Sequence, residues 1–184
     1  AVRQIKAWQK MTEELLTISV NVSMLQLEQR SFAEDVCRIL QEENVPSVSL
    51  ELEVTEGIAL SSAPEVEMNL AYLRGSRIKL AIDDFGTGYA SFSYLRRFEV
   101  GKLKIDRMFL EGKKKKKRST NLVRMIIAMG HTLNAQVTGE GIETEEQATF
   151  LREAGCEFGQ GFLFSRPLSV ENFSKQLNEI YRVS

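Results

Sequence analysis

Six short β-rich runs alternate with amphipathic segments along the chain, and this alternation limits the fold more than any other feature of the sequence. The runs are Thr17 to Asn21, Ser47 to Glu53, Ile78 to Asp83, Lys102 to Ile105, Gln136 to Gly139 and Phe158 to Gly161. Between them, Leu25 to Glu43, Ala63 to Gly75, Ser91 to Arg97, Asn121 to Leu133 and Thr144 to Ala154 carry apolar residues at three- and four-residue intervals, as a core-facing helix stripe requires. Val2 to Leu16 reads as a helix before the first strand and Val170 to Tyr181 as a closing helix after Pro167. Thr144 followed by Glu145 and Glu146 marks a helix start, and Ala154-Gly155 marks a stop. Parallel neighbours need a crossover connection, so the alternation predicts parallel β-structure with helices packed outside it.

An open doubly wound sheet and a barrel both satisfy that pattern. Gly86 and Gly88 match the start of a dinucleotide fingerprint, but the third glycine position is Ser91, which counts against a nucleotide-binding open sheet. The strand ends decide for a barrel. In order they carry Asn21, Glu53 with Glu56, Asp83 with Asp84, Lys104, Glu140 with Glu143, and Gln160. Parallel strands bring their C-terminal ends to one face, where barrel active sites form. The fold expected is therefore α/β, a TIM-like (β/α) barrel.

Carboxylates crowded on one face repel one another and are costly to desolvate without cations. An oxygen-rich set with neither sulfur nor histidine suits Mg²⁺ or Mn²⁺ better than zinc. An aspartate pair bridging two such ions is an arrangement used for displacement at phosphorus, and Lys104 among the acids is placed to orient water or stabilise phosphoryl charge. The residues alone thus point to metal-dependent phosphoester hydrolysis. The plainer reading of any one acid is that it caps a turn, and Asp83 or Asp84 alone fits that role; six such ends in succession fit it poorly.

Composition sets the remaining bounds. A chain of 184 residues, 43% hydrophobic and 27% charged, suits one soluble globular domain. Its net charge of −1 recruits neither nucleic acid nor anionic membrane. There is no apolar run of about eighteen residues and no secretory leader pattern, and Cys37 and Cys156 stand apart, so a reducing cytoplasmic setting is expected. Six consecutive basic residues, Lys113 to Arg118, read as a solvated loop, with an anionic partner as the lesser alternative. No aromatic interrupts them, so no specific nucleic acid is expected. His131 reads as a helix-end residue, Trp8 as part of the first helical stripe, and both cysteines as packed thiols.

Several stretches together resemble the EAL family of bacterial cyclic di-GMP phosphodiesterases, which are (β/α)₈ barrels: Ser19 to Ser23, Leu50 to Glu56, Asp83-Asp84-Phe85-Gly86-Thr87-Gly88-Tyr89, Leu103 to Arg107, Gly139 to Thr144, and Gln160 to Pro167. The resemblance runs nearly end to end. It implies water attack on one phosphodiester of cyclic di-GMP to give linear pGpG, with two Mg²⁺ or Mn²⁺ ions in a complete site. By the same resemblance Asn21, Glu53 and Asp83 match ligands of one metal, and Asp83, Asp84 and Glu140 ligands of the other. Lys104 matches the lysine holding the attacking water, and Glu140 or Glu143 the acids that activate or fix it. Gln160, Phe164, Arg166 and Pro167 fall on the substrate side. Gly86, Thr87, Gly88, Tyr89 and Ser91 match a loop that shapes the metal site and joins dimer contacts, with Glu56 as its anchor. A homodimer, and sensory or other signalling domains in a longer parent chain, are implied as partners.

The family's Glu-x-Leu stretch does not precede Asn21 in this sequence. Residues 1–184 are therefore expected to be an N-terminally truncated domain of this type, with about six of eight β/α units. The alternative reading is a non-catalytic cyclic di-GMP receptor or a regulatory, protein-interaction module on the same fold.

Overall fold

The computed structural model describes residues 1–87, 95, 99–110 and 116–181, with backbone alone at 116–119. Its strands are β1 (Ile18–Asn21), β2 (Leu50–Thr55), β3 (Lys79–Phe85), β4 (Lys102–Ile105), β5 (Gln136–Gly139) and β6 (Phe158–Gly159). Sheet order follows chain order. The helices are α1 (Val2–Gln9), α2 (Met24–Leu27), α3 (Phe32–Glu42), α4 (Glu56–Ala59), α5 (Pro64–Gly75), α6 (Lys116–Thr132), α7 (Glu145–Glu153) and α8 (Val170–Tyr181). The expected helix Ser91 to Arg97 lies outside the described residues, apart from Leu95, which is buried. Contacts divide the chain into two compact units.

The first unit comprises Ala1–Glu53, Ser62–Lys79 and Pro167–Ser184. Here β1 and β2 pair in parallel, with Ile18 opposite Leu50 and Asn21 opposite Glu53. The segment expected as one helix from Leu25 to Glu43 breaks into α2 and α3. Asn69 of α5 occupies the break: its Oδ1 accepts from the Ala33 N–H at 3.0 Å, and its Nδ2 donates to the carbonyls of Leu27 and Gln29 at 2.8 and 2.9 Å. Helix α1 also stops early, at Gln9. The Gln9 amide donates to the carbonyls of Thr12 and Glu14 and accepts from the Leu16 N–H, which ties down a turn instead of a further helical stretch. Trp8 packs on Phe173 of α8 with ring centroids 4.6 Å apart and donates to Ser174 Oγ.

The second unit comprises Val54–Ser61 and Leu80–Arg166. Strands β3 to β6 run parallel, with Leu103 opposite Val137 and Lys104 opposite Thr138. A Cβ built on Gly130 of α6 would meet the side chains of Val137 and Leu103, so these two residues face that helix. The core includes Ile82, Leu103, Ile105, Ile127 and Val137, each at most 1% exposed. Helix α7 opens on a capping box: Thr144 Oγ1 accepts from the Gln147 N–H, and Gln147 Oε1 accepts from the Thr144 N–H. No helix among the described residues is long and apolar enough to cross a membrane.

Candidate functional site

In the second unit, the carboxyl ends of β3, β4 and β5 bring Asp83, Asp84, Lys104 and Glu140 to one edge. The Lys104 ammonium, its side chain 6% exposed, lies 3.0 Å from Asp83 Oδ1 and 2.7 Å from Glu140 Oε1. Burying an ammonium is costly without such partners, and two carboxylates supply them. One carboxylate oxygen each from Asp83, Asp84 and Glu140 lies within 4.8 Å of the others.

Asp84 is the strained member. Its φ is +53°, in the left-handed region, and its N–H donates to Asp83 Oδ1 at 3.1 Å. Desolvation, a hydrogen bond to the Asp106 carboxyl, and the charge of Asp83 all push its carboxyl above the ordinary carboxylate range, against the pull of Lys104. Excess negative charge is therefore a property of this cluster. Its donors are all oxygens, which fits a hard divalent cation such as Mg²⁺ or Mn²⁺.

The backbone leading away from the aspartates is held as well. Gly86 has φ +94°, and a Cβ there would press within 3.0 Å of the Phe109 ring, so only glycine makes this turn. Its N–H donates to Glu56 Oε2 at 3.0 Å, and Glu56 is 3% exposed. Thr87 Oγ1 donates to the Asp84 carbonyl at 2.8 Å. Gly88, Tyr89 and Ser91 lie outside the described residues, as do Lys113 to Lys115 of the basic run.

After β5, Glu140 is held through its N–H, which donates to the Ile105 carbonyl at 3.1 Å. Gly141 follows at φ +63°, where a Cβ would collide with the Cβ of Arg107. The Gln160 N–H donates to the Gly139 carbonyl at 2.8 Å, and its own carbonyl accepts from the Ile142 N–H at 3.1 Å, so the loops after β5 and β6 are stitched together. Glu143, Gln160, Phe164, Arg166 and Pro167 are exposed, and the Arg166 guanidinium stacks over Phe162 with 4.9 Å to the ring centroid.

Asn21 and Glu53, in the first unit, are in-register neighbours at the ends of β1 and β2. Glu53 is 7% exposed, and its carbonyl accepts from the Val22 N–H at 2.9 Å.

Asp106 has no assigned role in the sequence reading, yet its carboxyl helps raise the proton affinity of Asp84, and its Oδ1 accepts from the Met108 N–H at 2.7 Å. The signal available was its place two residues after Lys104, just past a strand end. His131 does sit at a helix end, and pairs with Glu157 at 2.9 Å. Cys37 and Cys156 are free and half-buried.

Comparison with known proteins gives this geometry a context. The cyclic di-GMP phosphodiesterase NbdA of Pseudomonas aeruginosa is 39% identical over 170 residues, covering 92% of this chain but 22% of NbdA. The structure described as PaMucR phosphodiesterase in complex with c-di-GMP superposes with a TM-score of 0.85 at 37% identity, covering 94% of this chain and 75% of that one. The Klebsiella pneumoniae BlrP1 manganese/cy-diGMP complex gives a TM-score of 0.77 at 27% identity, covering 89% of this chain and 42% of that one. The chain thus spans about a quarter or less of curated relatives such as NbdA and MucR. Its fold class is the α/β, TIM-like barrel class of these neighbours. Residues 1–167 match the EAL domain, and the chain belongs to that family.

Proposed function

We propose that this chain is a phosphodiesterase domain that opens cyclic di-GMP to linear pGpG with the help of Mg²⁺ or Mn²⁺. One observation carries the reading: a buried lysine spans two carboxylates of a three-acid, oxygen-only cluster at parallel strand ends. Asp83, Asp84 and Glu140 are the proposed cation ligands in the second unit. Asn21 and Glu53 join the ligand set on the strand-end pattern and the family resemblance. When bound, the cation neutralises the acids and polarises a phosphoryl oxygen as a Lewis acid.

In this reading water attacks phosphorus, the P–O3′ bond breaks, and the departing 3′ oxygen takes a proton from solvent to become a hydroxyl. Glu140, assisted by Glu143, takes the proton of the attacking water. Lys104 holds that water and the carboxylates in place, and its charge offsets the negative charge that builds on phosphoryl oxygens. Gln160, Phe164, Arg166 and Pro167 are proposed to contact the nucleotide. Glu56 would hold the loop beginning at Gly86 and Thr87, through which the domain pairs with a second copy. Sensory or other signalling domains in a longer parent chain would supply the input, with this domain on the cytoplasmic side.

The test is incubation of the protein with Mn²⁺ and cyclic di-GMP while linear product is followed. Asp83→Ala and Glu140→Ala are expected to lower the rate by about 10²-fold or more. Calorimetry with Ca²⁺ replacing Mn²⁺ separates binding from turnover. Nucleotide binding without product overturns the enzymatic reading in favour of a receptor, and neither binding nor product overturns both.

A further inference from the structure

Thr138 lies on β5 two residues before Glu140, in register with Lys104 on β4 and Phe158 on β6. Because Val137 and Leu103 face α6, strand alternation turns Thr138, Lys104 and Glu140 to the other side of the strands. Thr138 is 6% exposed, and its Oγ1 has no hydrogen-bond partner among the described residues. A buried hydroxyl in that state is destabilising, whereas valine would fill the same β-branched space without the cost. Thr138 shares a strand face with the ion-paired Lys104, its register partner, and with Glu140 two residues on. Adjacent strands are about 4.8 Å apart, a span suited to one water bridging two side chains. Such a water needs two or more polar partners, and this face provides the threonine hydroxyl, the ammonium and the carboxylate.

We infer that Thr138 is a positioning residue. Its hydroxyl anchors a buried water that also hydrogen-bonds Lys104, and so fixes the ammonium between Asp83 and Glu140. Groups that orient the residues of such a centre commonly change activity or metal affinity by about 10- to 100-fold when removed. Only the kinetic part of the test rests on the phosphodiesterase reading.

Thr138→Val and Thr138→Ser are compared with the unaltered protein, with Thr138→Ala in reserve should the valine variant fail to fold. Crystals of the unaltered and serine proteins should show a water within hydrogen-bond distance of the hydroxyl and of Lys104 Nζ; those of the valine variant should not. Thr138→Val should lower kcat about tenfold with KM little changed, and Thr138→Ser should rescue it. Should the unaltered protein hydrolyse nothing, the function reading fails, and Mn²⁺ affinity becomes the readout. The valine variant should then bind about tenfold more weakly, with rescue by serine. The inference is overturned if Thr138→Val is more stable in urea with kcat and Mn²⁺ affinity unchanged, or if the hydroxyl holds no water.

Discussion

Asp84 combines a left-handed backbone with a carboxyl whose proton affinity is raised above its ordinary value of 3.8. The sign of its effect on stability follows directly. The folded state holds the proton more tightly than the unfolded state, so stability falls as pH rises from the unfolded value through the folded one. Asp84→Asn removes that charge, and asparagine tolerates positive φ well. In cation-free buffer the variant should be more stable than the unaltered protein at pH 7, with the difference closing as pH falls toward 3.8. Urea denaturation across that range checks it, and equal slopes for the two proteins would contradict it. Added Mn²⁺ should stabilise the unaltered protein more than the variant. The aspartate pair was legible as a candidate site because two acids stand at one strand end. Asp106 was not, because its link to Asp84 depends on a bend after β4 that no local pattern announces.

At the scale of elements, Asn69 shows how one buried amide organises three backbone segments. It is 1% exposed and bonds Leu27, Gln29 and Ala33, which puts the α2–α3 break against α5. Asn69→Leu fits the apolar stripe but leaves these three backbone groups without their partner. The expected cost is about 3 kcal/mol or more, read as a lower urea midpoint with an unchanged m-value. A stability within 1 kcal/mol of the unaltered protein would show that water takes over the role. This element also marks what periodicity reads and what it misses. The bounds of β4, β5 and α8 were legible, since apolar spacing and flanking breakers coincide there. The α2–α3 break was not, because the residues from Leu25 to Glu43 keep a helical stripe and the interruption is imposed by a side chain 36 to 42 positions away from its partners in sequence. Ser47 to Ser49 likewise form a 3₁₀ turn before β2, although their apolar alternation reads as strand.

On the scale of the whole molecule, the chain leaves one compact unit for the other after Glu53, Ser61, Lys79 and Arg166. Two strands are themselves divided. β2 gives Leu50–Glu53 to the first unit and its last residues to the second, while β3 begins at Lys79 in the first and continues in the second. Because the chain passes between the units inside both strands, one cooperative transition is expected rather than two. The single tryptophan, Trp8, reports on the first unit through its contact with Phe173, and far-ultraviolet circular dichroism reports on the whole chain. The proposed cation ligands Asp83, Asp84 and Glu140 belong to the second unit. A cation binding only the folded chain stabilises it by about 2.7 kcal/mol at a hundred times its Kd. Mn²⁺ should therefore raise the thermal midpoint seen by Trp8 fluorescence as much as that seen by circular dichroism, and Asp83→Ala should remove both shifts together. A fluorescence midpoint that stays fixed while the dichroism curve moves or splits would mean that the shared strands do not couple the units.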